Sequence, residues 1–193
     1  KTVTANYATA NVNAVAGSDY TAVSGLLTFT PGQTSKTISV SVPGDLLDEV
    51  NETFVITLSS LQNATAGDLQ GVGTIQDNDP LPSLSIDNAK ILEGNGPPVT
   101  LQLTVTLSAA SGKTVTVNYA TADLTAVAGR DYTAKSGTLT FSPGQTSKII
   151  SISVLGDTAA EGDEMLLVNL SAPGNATLSI NQGIGTIVDD ETQ

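Results

Sequence analysis

Apolar and polar residues alternate with a period of two along much of this chain. Leu101, Leu103, Val105 and Leu107 fall on one face of residues 99–107, and Ile150, Ile152 and Val154 on one face of residues 147–155, the mark of half-buried β-strands. Val115, Val117 and Tyr119 repeat the pattern, as do Ile38, Val40 and Val42 earlier in the chain. Gly and Pro clusters at Pro31-Gly32, Pro143-Gly144 and residues 94–98 punctuate it. No segment reads as a helix. Within residues 80–193 the pattern predicts seven strands, near residues 83–87, 99–107, 114–122, 137–141, 147–155, 165–170 and 183–188. Seven short strands with turns at this spacing predict an all-β fold, an immunoglobulin-like antiparallel Greek-key sandwich.

The pattern occurs twice. Residues 2–79 align on residues 114–191 at a constant offset of 112, without a gap, and 46 of the 78 positions are identical. A period of that length is near the size of a domain and far above a solenoid repeat, so two tandem domains are expected, 1–79 and 80–193. The second carries a leader, residues 80–113, for which the first has no counterpart. A segment of that length supplies two strands and a turn. The first domain is therefore expected to lack its two N-terminal strands, to show an unfinished sheet and an exposed apolar face, and to be open to strand addition by another chain.

Composition narrows the chemistry. Aromatic residues are 4% and tryptophan is absent, so Val, Ile, Leu and Ala must build the core. Seven basic against 19 acidic residues give a net charge of -12, which argues against nucleic acid or an anionic membrane as partner. The sequence contains no Cys and no His, which removes disulfides, thiolate or imidazole metal sites, and catalysis built on either residue. No apolar run reaches the roughly 18 residues of a membrane span, so no direct membrane insertion is expected. A Thr-, Ser- and Asn-rich, Lys-poor chain of short strands reads as an extracellular or cell-surface protein.

The strand order places the acids. Successive strands of an antiparallel sandwich alternate in direction, so the first–second, third–fourth and fifth–sixth connections and the end of the seventh strand share one pole. Glu93 lies in the first of these, Asp131 in the second, Asp157, Glu161 and Glu164 in the third, and Asp189, Asp190 and Glu191 after the last strand. Carboxylates so gathered repel one another unless a cation offsets the charge or some are protonated. Oxygen ligands on flexible loops, without nitrogen or sulfur, suit Ca²⁺. A single surface acid is ordinarily only solvated, but residues 46–61 drift strongly between the copies while Glu49 and Glu52 stay in step with Glu161 and Glu164. Asp19, Asp45 and Asp77 likewise match Asp131, Asp157 and Asp189. Tyr7 and Tyr119, and Tyr20 and Tyr132, also keep their places and read as core or loop-anchoring residues.

The motifs ILEGNG (residues 91–96), GRDY (129–132), LGDTAAEGDEML (155–166) and GTIVDDE (185–191) resemble those of Calx-beta domains, known from sodium/calcium exchangers, an integrin subunit and bacterial surface proteins. The resemblance covers the whole chain. It implies calcium held by Glu93, Asp131, Asp157, Glu161, Glu164, Asp189, Asp190 and Glu191 in the second domain, and by Asp19, Asp45, Glu49, Glu52, Asp77 and Asp79 in the first. Gly44 and Gly156 stand where the family often has a first Asp of a pair, and Asn78 replaces the middle acid of the first domain's terminal run. A weaker first site is expected, with Asp77-Asn78-Asp79-Pro80 as the linker between repeats.

The expected function is a calcium-binding structural repeat of a large extracellular or cell-surface protein, the ion stiffening the loop pole and the linker between neighbouring repeats, in an adhesive setting. The alternative is a regulatory calcium sensor of a membrane protein. A glycosidase using a carboxylate pair is disfavoured by the missing aromatic platform, and no enzymatic activity is expected.

Overall fold

A computed structural model describes residues 1–191 and divides the chain into two compact units, Lys1–Asn78 and Asp79–Gln193. Both are all-β. Among the described residues there is no helix, and so none long and apolar enough to cross a membrane.

Unit two is a sandwich of two sheets. Its strands are β5 (Ser83–Ile86), β6 (Ala89–Leu92), β7 (Val99–Leu107), β8 (Val115–Asp123), β9 (Ser136–Phe141), β10 (Ser147–Val154), β11 (Glu164–Gly174), β12 (Thr177–Ile180) and β13 (Gln182–Val188). One sheet has the order β10-β7-β5-β12, the other β6-β13-β11-β8-β9. The alternating apolar positions point inward as the pattern requires: Leu101, Leu103 and Val105 from β7, Ile150, Ile152 and Val154 from β10, Val115 and Val117 from β8, and Leu166 and Val168 from β11 are all buried in one core. Each such side chain contributes roughly 1.5–3 kcal/mol on burial.

The first expected strand, 83–87, forms as β5, but after a break at Asp87-Asn88 the chain makes a further strand, β6, which with β12 is additional to the seven expected. β5 belongs to one sheet and β6 to the other. At the break, Asp87 Oδ1 accepts from Thr104 N (2.6 Å) and Asn88 Oδ1 accepts from Ile184 N (2.8 Å), so the two side chains satisfy ladder donors on β7 and β13 while the backbone changes sheets. Gly183 permits the passage, since a Cβ there would lie 2.4 Å from the Asp87 carbonyl oxygen. The switch also makes β6–β13 and β5–β12 parallel pairs, a departure from the purely antiparallel expectation. It carries the chain to Glu93 directly beside the end of β13, where Glu93 N donates to Val188 O at 3.2 Å.

Unit one has a single sheet, β2-β1-β3-β4, formed by β1 (Val3–Asn11), β2 (Ser24–Phe29), β3 (Glu52–Gln62) and β4 (Gln70–Ile75). These align on β8, β9, β11 and β13 of unit two at the offset of 112. The second sheet does not form. Residues 35–42 (SKTISVSV) nearly repeat β10 (SKIISISV), yet make no strand. In unit two β10 pairs with β7 along its whole length, and unit one has no segment aligned with β7. The expectation of a strand through Ile38, Val40 and Val42 is thus corrected: alternation makes a segment competent for a sheet, but a strand needs a partner for its N–H and C=O groups. Packing suffers in parallel. Val42 is 47% exposed where Val154 is 0%, and Phe29 is half-buried where Phe141 is fully buried. The buried core cluster of unit one reduces to Ala14, Tyr20 and Phe54, the two rings stacked at 4.5 Å.

This contrast yields a direct test. Amide hydrogen exchange of the full chain should show residues 36–42 exchanging about a hundredfold or more faster than the near-identical residues 148–154, because only the latter exchange through opening of a ladder. Equal protection would mean that the first segment is paired after all.

Candidate metal centre

The loop before β9 positions Asp131 by local hydrogen bonding. Val127 N donates to Asp131 Oδ2 at 2.7 Å and Asp131 N to Val127 O at 3.0 Å, with Gly129 supplying the positive φ of 88° that the turn needs. Asp123 at the end of β8 secures the base of the loop: its Oδ1 accepts from Ala128 N (2.9 Å) and from the Tyr132 hydroxyl (2.6 Å). These bonds, the Tyr132 hydroxyl first, hold Asp123 below its ordinary range, and burial followed by the bond to Asp123 pushes Tyr132 up to about 12. Unit one repeats the device with Asp19 on Val15 N (2.6 Å) and Asn11 in the place of Asp123, its Oδ1 accepting from Tyr20 (2.7 Å). Tyr20 and Tyr132 are therefore loop anchors. One oxygen of Asp131 is committed to the turn and the other, Oδ1, lies on the pole side 3.4 Å from Arg130 Nε.

Four chain segments meet there. Gly94 N donates to Asp190 Oδ1 at 3.0 Å and Glu161 N to Asp189 Oδ2 at 3.2 Å, tying the 93–98 and 155–163 loops to the end of β13. Gly156 lies against the carbonyl oxygens of Glu93 and Gly94, so close that a Cβ would stand 1.8 Å from Gly94 O. Any side chain at that position would force the 93–98 and 155–163 loops apart. Gly44, its counterpart, has open space around it, as unit one has no loop equivalent to 93–98.

Carboxylate oxygens converge in two triads, Glu93 with Asp189 and Glu191, and Asp131 with Glu161 and Glu164; within each the oxygens lie within 4.8 Å of one another. Glu93 is 7% and Asp131 4% exposed. Both oxygens of Glu191 are enclosed with no hydrogen-bond partner, and two ionised carboxylates offer one another no donor. Burial, then the charges of Glu191, Asp157, Asp189 and Glu161, push Glu93 up to about 7. Burial and then Asp131 and Glu161 raise Glu164 to about 7. Glu191 is raised by the adjoining Asp189 carboxyl first, then by burial and Asp190.

The other expected ligands stand as follows. Asp157 and Asp190 join neither triad; Asp157 Oδ1 accepts from Ala159 N at 2.7 Å, and its charge bears on Glu93. In unit one, burial and then Asp19 and Glu49 raise Glu52, so these three are neighbours like their counterparts Asp131, Glu161 and Glu164. Asp45 Oδ1 accepts from Leu47 N (2.8 Å) and Asp77 N donates to Asn51 Oδ1 (3.0 Å). Asp19, Asp45, Glu49, Glu52, Asp77 and Asp79 form no triad of converging oxygens among the described residues. Sequence reasoning passed over Asp123, Arg130 and Asp48. Arg130 pairs with Glu161 and lies 3.4 Å from Asp131; Asp48 is 2% exposed in the loop of unit one that aligns with residues 155–163. Both hide at drifted positions, Ser18 standing opposite Arg130 and Ala160 opposite Asp48.

The sequence profile of the Calx-beta domain matches residues 1–79 and again residues 77–191. The chain belongs to the Calx-beta domain family. Among curated relatives, adhesion G-protein coupled receptor V1 of Danio rerio is 34% identical over 189 residues, covering 86% of this chain and 3% of the receptor. Sodium/calcium exchanger 2 of Rattus norvegicus is 28% identical over 218 residues, 97% of this chain and 23% of the exchanger. The two Calx-beta units thus span a small part of each. The crystal structure of the apo-form Calx CBD1 domain superposes with a TM-score of 0.50 at 24% identity, over 58% of this chain and all of that domain, a likeness of fold. Calcium is the cofactor of the Calx-beta family, and the residues present fit it: an all-oxygen donor set on loops, with an enclosed carboxylate that has no donor of its own.

The raised groups set the pH behaviour. Glu93 and Glu164 have an ordinary value of 4.5 and a folded value of about 7, so the folded state holds protons that the unfolded chain has released. Their stabilising contribution is present below about 4.5 and is lost as pH rises through about 7. In chelator, the melting temperature of unit two should fall between pH 5 and pH 8; in excess calcium, which needs the ionised carboxylates, the fall should vanish or reverse. A chelator melt independent of pH would contradict the clustering.

Proposed function

We propose that the acidic pole of unit two binds calcium through Glu93, Asp189 and Glu191, with Asp131, Glu161 and Glu164 as a second ligand group, and that the ion replaces mutual repulsion by attraction and orders the four segments that meet there. The enclosed, donor-free carboxylate of Glu191 beside Glu93 and Asp189 carries this reading. An enclosed carboxylate without a donor is unfavourable unless it is protonated or meets a cation. The module then acts as a calcium-stiffened repeat in an extracellular or cell-surface protein, a setting supported by the Thr-, Ser- and Asn-rich composition and by the similarity to the adhesion receptor. No residue of the pole is assigned a catalytic role.

A second reading has its own support. The exchanger relative aligns over 97% of the chain, which favours a regulatory calcium sensor whose ion occupancy is read elsewhere in a larger protein. The two readings separate by affinity, since structural modules bind in the millimolar range and sensors in the micromolar.

Calorimetric titration of calcium into the chelator-stripped chain should give saturable binding, and the melting temperature should rise, by an amount equivalent to about 2.7 kcal/mol at 100 times the dissociation constant. Glu93→Gln or Asp189→Asn should weaken the tightest binding by about tenfold or more, roughly 1.4 kcal/mol. Absence of calcium heat in the parent protein would reduce the pole to a solvated acidic surface.

A further inference from the structure

The two triads of unit two are not equivalent, and the difference is one side chain. Arg130 is the only arginine in the sequence. It stands at the Asp131, Glu161 and Glu164 half of the pole, paired with Glu161 through Nη2 and 3.4 Å from Asp131 Oδ1 through Nε. That Asp131 oxygen is the one not engaged by Val127 N. The guanidinium therefore lies on the donor atoms that a cation would use. None of the ion pairs among the described residues involves Glu93, Asp189 or Glu191. Unit one has Ser18 in the place of Arg130.

We propose that Arg130 is a tethered counter-ion that guards the Asp131, Glu161 and Glu164 half of the pole, so that unit two fills its Glu93 half first and must release the guanidinium to fill the second. The proposal rests on the calcium reading above and adds an order of loading to it. With every carboxylate ionised, three carboxylates and one guanidinium give the guarded half a net charge of -2, against -3 for the unguarded one, before neighbouring acids are counted. The guanidinium remains charged across the physiological range, so it yields to rising cation concentration and not to pH. Its side chain is 58% exposed, which leaves it free to swing into solvent, and an ion pair so exposed is a weak competitor. The effect on affinity is accordingly modest: a guard that delays the second ion without abolishing it.

The test uses the full chain, with calcium as the probe. Calorimetric titrations and chelator melts are compared for the parent protein, Arg130→Ser, which installs the residue of unit one, and Lys148→Ser, which removes the same charge from the β10 end remote from the pole. In Arg130→Ser the weaker class of calcium binding should tighten about two- to tenfold, the tighter class should stay within about twofold, and the melting temperature in chelator should fall. Lys148→Ser should leave the weaker class unchanged. The proposal is overturned if the weaker class of Arg130→Ser is unchanged or weaker, or if both variants tighten both classes alike, which is a general effect of net charge. If no variant and no parent protein takes up calcium, the calcium reading itself falls and the order of loading with it, an outcome distinct from normal binding that is indifferent to Arg130.

Discussion

Repulsion between carboxylates at one end of a β-sandwich is the constraint around which this molecule is organised. Two like charges at about 4–5 Å interact by roughly 3–4 kcal/mol at an effective dielectric of about 20, and the pole of unit two packs two triads at such separations. A domain has only about 5–15 kcal/mol of net stability. The chain meets that cost with hydrogen bonds from Val127, Gly94 and Glu161 amides, with one guanidinium, and with protons retained on Glu93 and Glu164 up to about pH 7. A divalent ion does the same work more completely, and this is the physical link between the sandwich and its function.

The scaffold holds the pole because the four segments that reach it are anchored in both sheets. β6 and β13 bring Glu93 and the 189–191 run side by side, the Tyr132–Asp123 bond fixes the loop of Asp131, and the contact of Gly156 with the Glu93 and Gly94 carbonyls seats the loop that bears Asp157 and Glu161. Unit one retains the sheet that corresponds to β9-β8-β11-β13 and keeps Asp19, Glu49 and Glu52 together, but has no residue aligned with Glu93. A site assembled from both sheets degrades when one sheet is absent, even though most individual acids are preserved.

Much of this was legible in the residues. Alternation at 99–107 and 147–155 gave strands with the correct inward faces, and alternation of strand direction was enough to gather Glu93, Asp131, Glu161, Glu164, Asp189 and Glu191 at one pole. The repeat also showed that the first copy has no segment aligned with residues 80–113. Three things were hidden for physical reasons. The failure of residues 35–42 to form a strand depends on an absent partner and not on their own pattern. The sheet switch at Asp87-Asn88 depends on side chains substituting for ladder groups, which no periodicity reports. Arg130 falls at a position where the copies differ, and a search for acids that persist passes over a lone cation that does not.

A divalent cation is what the pole of unit two is proposed to hold. Amide chemical-shift mapping of the full chain on calcium addition tests it residue by residue. Saturable changes are expected to concentrate at residues 93–96, 129–131, 156–164 and 189–191, with β7 and β10 nearly silent at the ends remote from the pole. Changes scattered over all acidic surfaces, or none at the four segments while calcium is in excess, would contradict it.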